Sequence, residues 1–398
     1  MAGRQVLAQL GRNDLVLSGQ PDITFFLEQY KARGPFATRV IEIAFNNRPQ
    51  YGTDTTVEIP MNGDLCTAMY ARFNITPPPG LSLYGNAGPL MIDRVELYFK
   101  NQLIERLWGE FIVLTNECEV SAGQQPGLAF LYGSPATYPL NTSFFPASMY
   151  TVPLRFKALQ KGLPVIDGLQ VRVILNPVSK FATGASNLPV VFNLFAEYVF
   201  LGDAERDAIS RRGKQIHLCE NVERARFLAP AGTSNIRCVT DFLHPVKELF
   251  FTVQNSEAVG FDYNLYSSNV SGLSNLNQLS SLAMTFNDAL RLDPAVATAL
   301  YLGSAQFLEH HTRIPSMPFY TYSFSLDPEG DVPSGAVNFG RIKHQYFDFY
   351  LNPAPEPTSR VITVWARYYQ FLEVDTARGY MRVLFDNISE TGSSAILR

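Results

Sequence analysis

The order of strand signals in the first half of this 398-residue chain recurs in the second half. Pro153-Leu-Arg-Phe-Lys opens a segment that passes a Gly/Pro-rich turn, reaches an alternating run at Leu169–Leu175 and, after a loop, the run Leu194–Leu201. Tyr320–Leu326 opens the second copy, Gln345–Leu351 follows its turn, and Val364–Leu372 closes it. Phe156 then matches Phe324, and Tyr198 matches Tyr368 at nearly the same offset. Pro60, ahead of Leu65–Phe73, matches Pro245, ahead of Glu248–Val253, at a larger one. Repetition over such a distance means two copies of one domain, because solenoid repeats recur at about 20–50 residues.

Each copy reads as strands. Leu169, Val171, Val173 and Leu175 share one face of a period-2 run, as do Tyr320, Tyr322, Phe324 and Leu326, and such alternation buries one side of a sheet. Apolar residues make up 46% of the chain and charged residues 17%, enough to fill two cores without disulfides or metals. The expected fold is all-β: two tandem eight-stranded jelly-roll sandwiches with a few short helices in loops. Helical patterns occur at Gln5–Gln9, Glu105–Asn116 and Asn277–Leu292. The expected domains are an N-terminal arm at 1–19, sandwiches at 20–205 and 216–390, a linker at 206–215 and a tail at 391–398. The linker lies in the charged stretch Gly202–Gln215. Its basic cluster, Arg211, Arg212 and Lys214, could suit nucleic acid, but acids sit alongside and no aromatic interleaves, which favours a solvated linker.

Net charge is −4, which leaves no overall electrostatic footprint for wrapping nucleic acid. Cys66, Cys118, Cys219 and Cys238 form no C-x-x-C pair and fit reduced, buried thiols of a cytosolic setting. Residues 1–20 carry Arg4, Arg12 and Asp14, unlike a secretory signal. Leu188–Leu201 holds Asn193 and Glu197 and is too short to span a bilayer. The sequons at Asn74, Asn141, Asn269 and Asn387 would then not meet the glycosylation enzymes of the secretory route.

Catalytic signatures are missing: no G-x-S-x-G, G-x-x-x-x-G-K or H-E-x-x-H occurs. The sharpest alternative is a metal-dependent bicupin-type enzyme, or a carbohydrate-binding β-sandwich protein. A bicupin needs an H-x-H pair. The histidines here are His217, His244, His310, His311 and His344, and neighbours such as His310 and His311 would point to opposite faces of a strand. They read as surface or loop residues. Asp327-Pro-Glu329-Gly-Asp331 places carboxylates at alternate positions without the spacing of an EF-hand, and reads as a solvated turn. No catalytic, cofactor-binding or metal-binding residue is assigned, and no cofactor is expected.

Ordered pieces along the chain carry a resemblance. They are Gly19–Phe26 with Tyr30-Lys31 and Phe36-Ala37, then Ile59-Pro60 with Gly63-Asp64-Leu65, then Val152–Phe156 and His244–Leu249. The longest is Tyr322–Leu326 with Pro328-Glu329, Pro333-Ser334-Gly335, Asn338-Phe339 and Arg341-Ile342. Together they resemble the double jelly-roll major capsid proteins of nucleocytoplasmic large DNA viruses. Gly340, where the family has Ser, and Tyr369–Val374 depart from its pattern, and the chain is shorter than most members. The resemblance implies a structural protein rather than an enzyme. It implies homotrimers shaped as pseudo-hexagonal capsomers that tile an icosahedral virion shell assembled in the host cytoplasm. Its implied partners are neighbouring capsomers and minor capsid and penton proteins, with no direct nucleic acid. The arm, with Val6, Leu7 and Leu10 at helical spacing, would reach minor proteins or an inner membrane.

Overall fold

The computed structural model describes residues 33–75, 82–133, 149–183, 188–189, 191–256, 260, 277–353 and 358–384, with a few isolated residues before 33. The chain divides into two units, Met1–Pro35 and Phe36–Arg398. The pattern at Gln5–Gln9, most of the arm, the sequons at Asn141, Asn269 and Asn387, and the tail at 391–398 lie outside the described residues.

Strands dominate the second unit. Apart from two-residue strands, the first eight are β1 (Phe36–Ile43), β2 (Asp54–Glu58), β3 (Leu65–Asn74), β4 (Ile92–Phe99), β5 (Gln102–Trp108), β6 (Met149–Leu154), β7 (Leu169–Leu175) and β8 (Val191–Leu201). The next eight are β9 (Lys214–Ala229), β10 (Asn235–Thr240), β11 (Pro245–Asn255), β12 (Leu279–Phe286), β13 (Ala289–Leu292), β14 (Tyr320–Ser323), β15 (Gln345–Leu351) and β16 (Arg360–Asp375), and β17 (Tyr380–Leu384) follows. In the first set, a β1-β8-β3-β6 sheet accompanies a β2-β7-β4-β5 sheet. The second set repeats this as β9-β16-β11-β14 and β10-β15-β12-β13. Every position of the first sandwich has its counterpart eight strands later, the order of a jelly roll made twice. Inward side chains such as Leu169, Val171, Val173 and Leu175 fill the first core, and Phe347, Phe349 and Leu351 fill the second.

The tyrosine match has a cause in the register. Tyr198 pairs with Cys66 and Glu197 with Ala68, which leaves Thr67 as an extra residue. Tyr368 pairs with Val246 and Arg367 with Glu248, which leaves Lys247. Both sandwiches therefore carry one β-bulge at the same place. The Pro60–Pro245 match does not hold, because the bulge sets Leu65 opposite the place of Pro245.

Two helical expectations change. Asn277–Leu292 is the β12–β13 hairpin: Asn287 and Asp288 both take positive φ, 48° and 64°, the turn geometry that matches strand twist. In Glu105–Asn116 the first residues finish β5, and α1 spans Gly109–Glu119. Gly109 is required at this joint, since a Cβ there would lie 2.1 Å from the Ile92 carbonyl oxygen. A second helix, α2, spans Gln125–Tyr132. Within the charged stretch, Asp203–Arg211 forms α3, with no buried residue and Asp203 and Glu205 in its first turn, where acids favour the helix dipole. Residues 299–310 are helical, which the sequence patterns did not indicate.

Candidate functional site

The two β-bulge sheets differ in what covers them. β8 alternates between buried and partly exposed residues. β16 is buried on both faces along almost its whole length, because the first sandwich lies against it. Trp108 at the end of β5 and Phe111 and Leu114 of α1 meet Val222, Phe250 and Trp365 of the second sandwich. Trp108 and Trp365 stand edge to face at 6.1 Å, and Phe111 and Phe250 at 5.4 Å. The Arg224 guanidinium lies 3.7 Å from the centre of the Trp108 ring. Aromatic burial of this kind is the main apolar attraction across a seam.

Beside the aromatics lies a charged network. Arg367 Nε donates to Glu220 at 2.7 Å and Nη1 to Glu248 at 2.9 Å, and Nη1 also reaches Glu119 at the end of α1. Lys247, the bulged residue, is fully buried with its Nζ 2.7 Å from Glu220. It also donates to the Pro328 carbonyl. Lys157, just after β6, completes the link at 3.9 Å from Glu220. Burial works against the charges of Glu220, Lys247, Glu248 and Arg367. Arg367 nonetheless holds the Glu220 and Glu248 carboxyls below their usual range, and the carboxylates hold Arg367 up. Pairs like these are costly to break, although they add little net stability over apolar residues of the same volume.

Glu105 is also enclosed, on β5, and accepts from the Lys157 and Ala158 backbone N–H groups at 2.8 and 2.9 Å. Burial pushes its pKa up to about 8; these bonds oppose the rise and Glu220 adds to it.

Of the reading of the histidines as surface or loop residues, His311 keeps the loop, in the bend after a helix, and corrects the surface. Its side chain is fully enclosed, 3.0 Å from Glu329 through Nδ1 and 3.3 Å from Glu248 through Nε2. Burial lowers its pKa, but Cys118, Glu248 and Glu329 outweigh that and raise it. His310, at the end of a helix rather than on a strand, turns to the Leu326 carbonyl at 3.2 Å. The expected solvated turn at Asp327–Asp331 is only partly so. Asp327 bonds the Gly330 N–H, Glu329 turns inward to His311 and Thr312, and Asp331 faces Lys157 at 3.3 Å. The three carboxylates diverge to separate partners. Among the described residues no three His, Cys, Asp or Glu side chains converge as metal ligands.

Two of the motif pieces, His244–Leu249 and Tyr322–Leu326, meet beside this seam. His244 stacks on Tyr368 at 4.0 Å and contacts Glu223, and the Lys247 carbonyl accepts from Phe324 and Ser325 N–H groups. Ser334 Oγ accepts from Asp327 N–H and donates to its carbonyl. Gly335 takes φ 142°, with the Phe324 oxygen 2.8 Å from where a Cβ would be. All four cysteines are buried and unpaired. The sequence reading missed Glu119, Lys157, Glu220 and Arg367. The signal for Arg367 was its place in the apolar run Val364–Leu372, where a lone charge needs a buried partner.

Two matched eight-stranded sandwiches locked by a buried seam define a double jelly-roll fold. A sequence model described as large eukaryotic DNA virus major capsid protein matches residues 205–366. The major capsid protein of Pyramimonas orientalis virus is 27% identical, over 95% of this chain and 98% of the relative. That of Paramecium bursaria Chlorella virus 1 is 24% identical over 85% of each. In solved structures, the PBCV-1 protein VP54 superposes with a TM-score of 0.77 at 19% identity, covering 92% of this chain and all of that one. The Faustovirus major capsid protein gives 0.70 at 10% identity, covering 92% and 94%. The sequence and structural matches support a double jelly-roll major capsid protein of the large eukaryotic DNA virus type, with a structural role as a component of the virion capsid. The near-complete overlap with the Pyramimonas orientalis virus protein also shows that the modest length is shared by a relative.

Proposed function

We propose that three copies of this chain close head to tail into a pseudo-hexagonal capsomer that tiles an icosahedral shell. One observation carries the reading. Val40, Tyr70 and Phe195 on the outer face of the first sandwich occupy the register positions of Val222, Phe250 and Trp365. The second set is sealed by the preceding sandwich, with Val222 at 6% exposure, whereas Val40 is 52% exposed. A heterologous contact made once inside a chain can be repeated between chains until the ring closes. Six sandwiches then need three chains, and the second sandwich of one copy covers Val40, Tyr70 and Phe195 of the next. Such an obligate interface commonly buries over about 2,000 Å².

The domain limits fit this reading as an arm at 1–19, sandwiches at 20–205 and 216–390 joined through 206–215, and a tail at 391–398. The arm would engage minor capsid proteins or an inner membrane, penton proteins and neighbouring capsomers would abut the ring, and assembly would take place in the host cytoplasm. No catalytic step is assigned: Glu220, Glu248 and the partly exposed Glu329 each have a cationic partner, and the buried Glu105 is held by two backbone N–H groups. The test is light scattering and negative-stain electron microscopy of the purified chain. Trimers with a hexagonal outline are expected, and Phe195→Glu should leave a folded monomer. A wild-type chain that stays monomeric at micromolar concentration, with no particles, would overturn the proposal.

A further inference from the structure

A cleft of about 610 Å³ opens where the two sandwiches meet, lined by the segments after β6, at the start of β9 and at the turn before β15. Its walls carry Lys157, Lys161, Arg212 and Lys214 against one carboxylate, Asp331. This local excess of positive charge stands in a chain whose net charge is −4. Lys157 and Lys161 share Asp331, at 3.3 and 4.0 Å. Lys214 lies 3.2 Å from Glu373. Arg211 is turned away to Asp207 in α3, and no ion pair is found for Arg212 among the described residues.

A second observation points the same way. Gln215 and His217 also line the cleft, and the buried Nε2 of each has no hydrogen-bond partner among the described residues. Buried polar groups are rarely left unmatched without a purpose or a bound species. Both nitrogens can be donors, the amide always and the imidazole in the tautomer that protonates Nε2. Clustered cations with added neutral donors suit a compact anion carrying several charges, for which lysine supplies point charges and arginine a planar fork. With Asp331 and Glu373 counted, two of the four positive charges remain unmatched, and a single carboxylate would balance only one of them. The aromatic platforms used for single-stranded nucleic acid are missing from the lining.

We propose that this cleft binds an oligophosphate-type anion, either free or carried on a phosphorylated lipid headgroup, through Lys157, Lys161, Arg212 and Lys214 with Gln215 and His217. The site lies within one chain and does not depend on how copies associate.

The probe is inorganic pyrophosphate, titrated calorimetrically into the full chain at low ionic strength, with sodium chloride of equal ionic strength as control. Submillimolar binding is expected. The double variant Lys161→Gln/Arg212→Gln should weaken it at least tenfold, and because both side chains are exposed its melting temperature should stay that of the wild type. Flotation with phosphatidylcholine vesicles, with and without a phosphatidylinositol phosphate, identifies the source. Capture by the phosphorylated vesicles, reversed by pyrophosphate, supports a headgroup; no capture, with pyrophosphate still bound, supports a free anion. The proposal is overturned if pyrophosphate gives no heat beyond the chloride control, if the double variant binds it equally well, or if only an oligonucleotide binds.

Discussion

Glu197 in β8 and Arg367 in β16 occupy the same place beside the same bulge. Glu197 is half-buried on an outer face, whereas Arg367 is enclosed with Glu119, Glu220 and Glu248 around it. The bulged residues differ likewise: Thr67 donates weakly to the Glu197 carbonyl at 3.5 Å, and Lys247 is a buried cation. One backbone plan therefore serves two surfaces. What separates them is whether another sandwich covers the face, and the charges follow the covering.

The largest test of that contrast removes the arginine. Arg367→Ala leaves three carboxylates in the seam without their shared partner, and breaking a buried pair costs about 3–5 kcal/mol. Glu197→Ala, at the matching position, should stay within about ±0.5 kcal/mol in the monomer. Urea unfolding of both variants measures the difference. Equal effects would mean that the seam is not selectively dependent on its charges.

The two adjacent histidines offer a smaller effect. His311→Ala removes a buried cation from Glu248 and Glu329, each of which keeps another partner, so a loss of about 1–3 kcal/mol is expected. His310→Ala removes one bond to the Leu326 carbonyl on an exposed helix end and should stay within about ±0.5 kcal/mol. Thermal melts of the two single variants separate them. Indistinguishable melts would return His311 to the surface role that its sequence context suggested.

That histidine marks the limit of what the sequence could convey. Period-2 runs such as Leu169–Leu175 announced their own strands, because alternation is a local property of a sheet with one buried face. The repeat was legible through Phe156, Phe324, Tyr198 and Tyr368, since the bulge after which each tyrosine falls is local as well. The β12–β13 hairpin was misread because its apolar residues crowd both faces, and two positive-φ residues settled the matter. The seam was not legible: His311, Glu329 and Glu248 are far apart in the chain, and Lys157 and Arg212 approach one cleft only after both sandwiches form. His244–Leu249 reads as a motif in sequence, yet nothing in it discloses that Lys247 is the extra residue of a bulge.

The subtlest contrast lies one strand away. Glu105 pairs with Leu97 beside a second bulge, and in the later sandwich Leu292 pairs with Met284 at the same place. A carboxyl thus stands where the repeat has a buried leucine. The unfolded carboxyl titrates near about 4.3 and the folded one at about 8, so the folded state binds the extra proton between those values. The stability this contributes is full below the lower value and is lost as pH rises through the upper one. Glu105→Gln keeps an acceptor for one of the two backbone N–H groups and never ionises. At pH 6 it should cost about 1 kcal/mol for the impaired second bond. Towards pH 9.5 the wild type takes up a buried negative charge and the variant does not, so the gap should close and then reverse. Melting temperatures of both proteins at pH 6, 8 and 9.5 decide it. Parallel profiles would mean that Glu105 is ionised throughout, held by the Lys157 and Ala158 N–H groups despite its burial, and that this position differs from Leu292 in charge as well as in polarity.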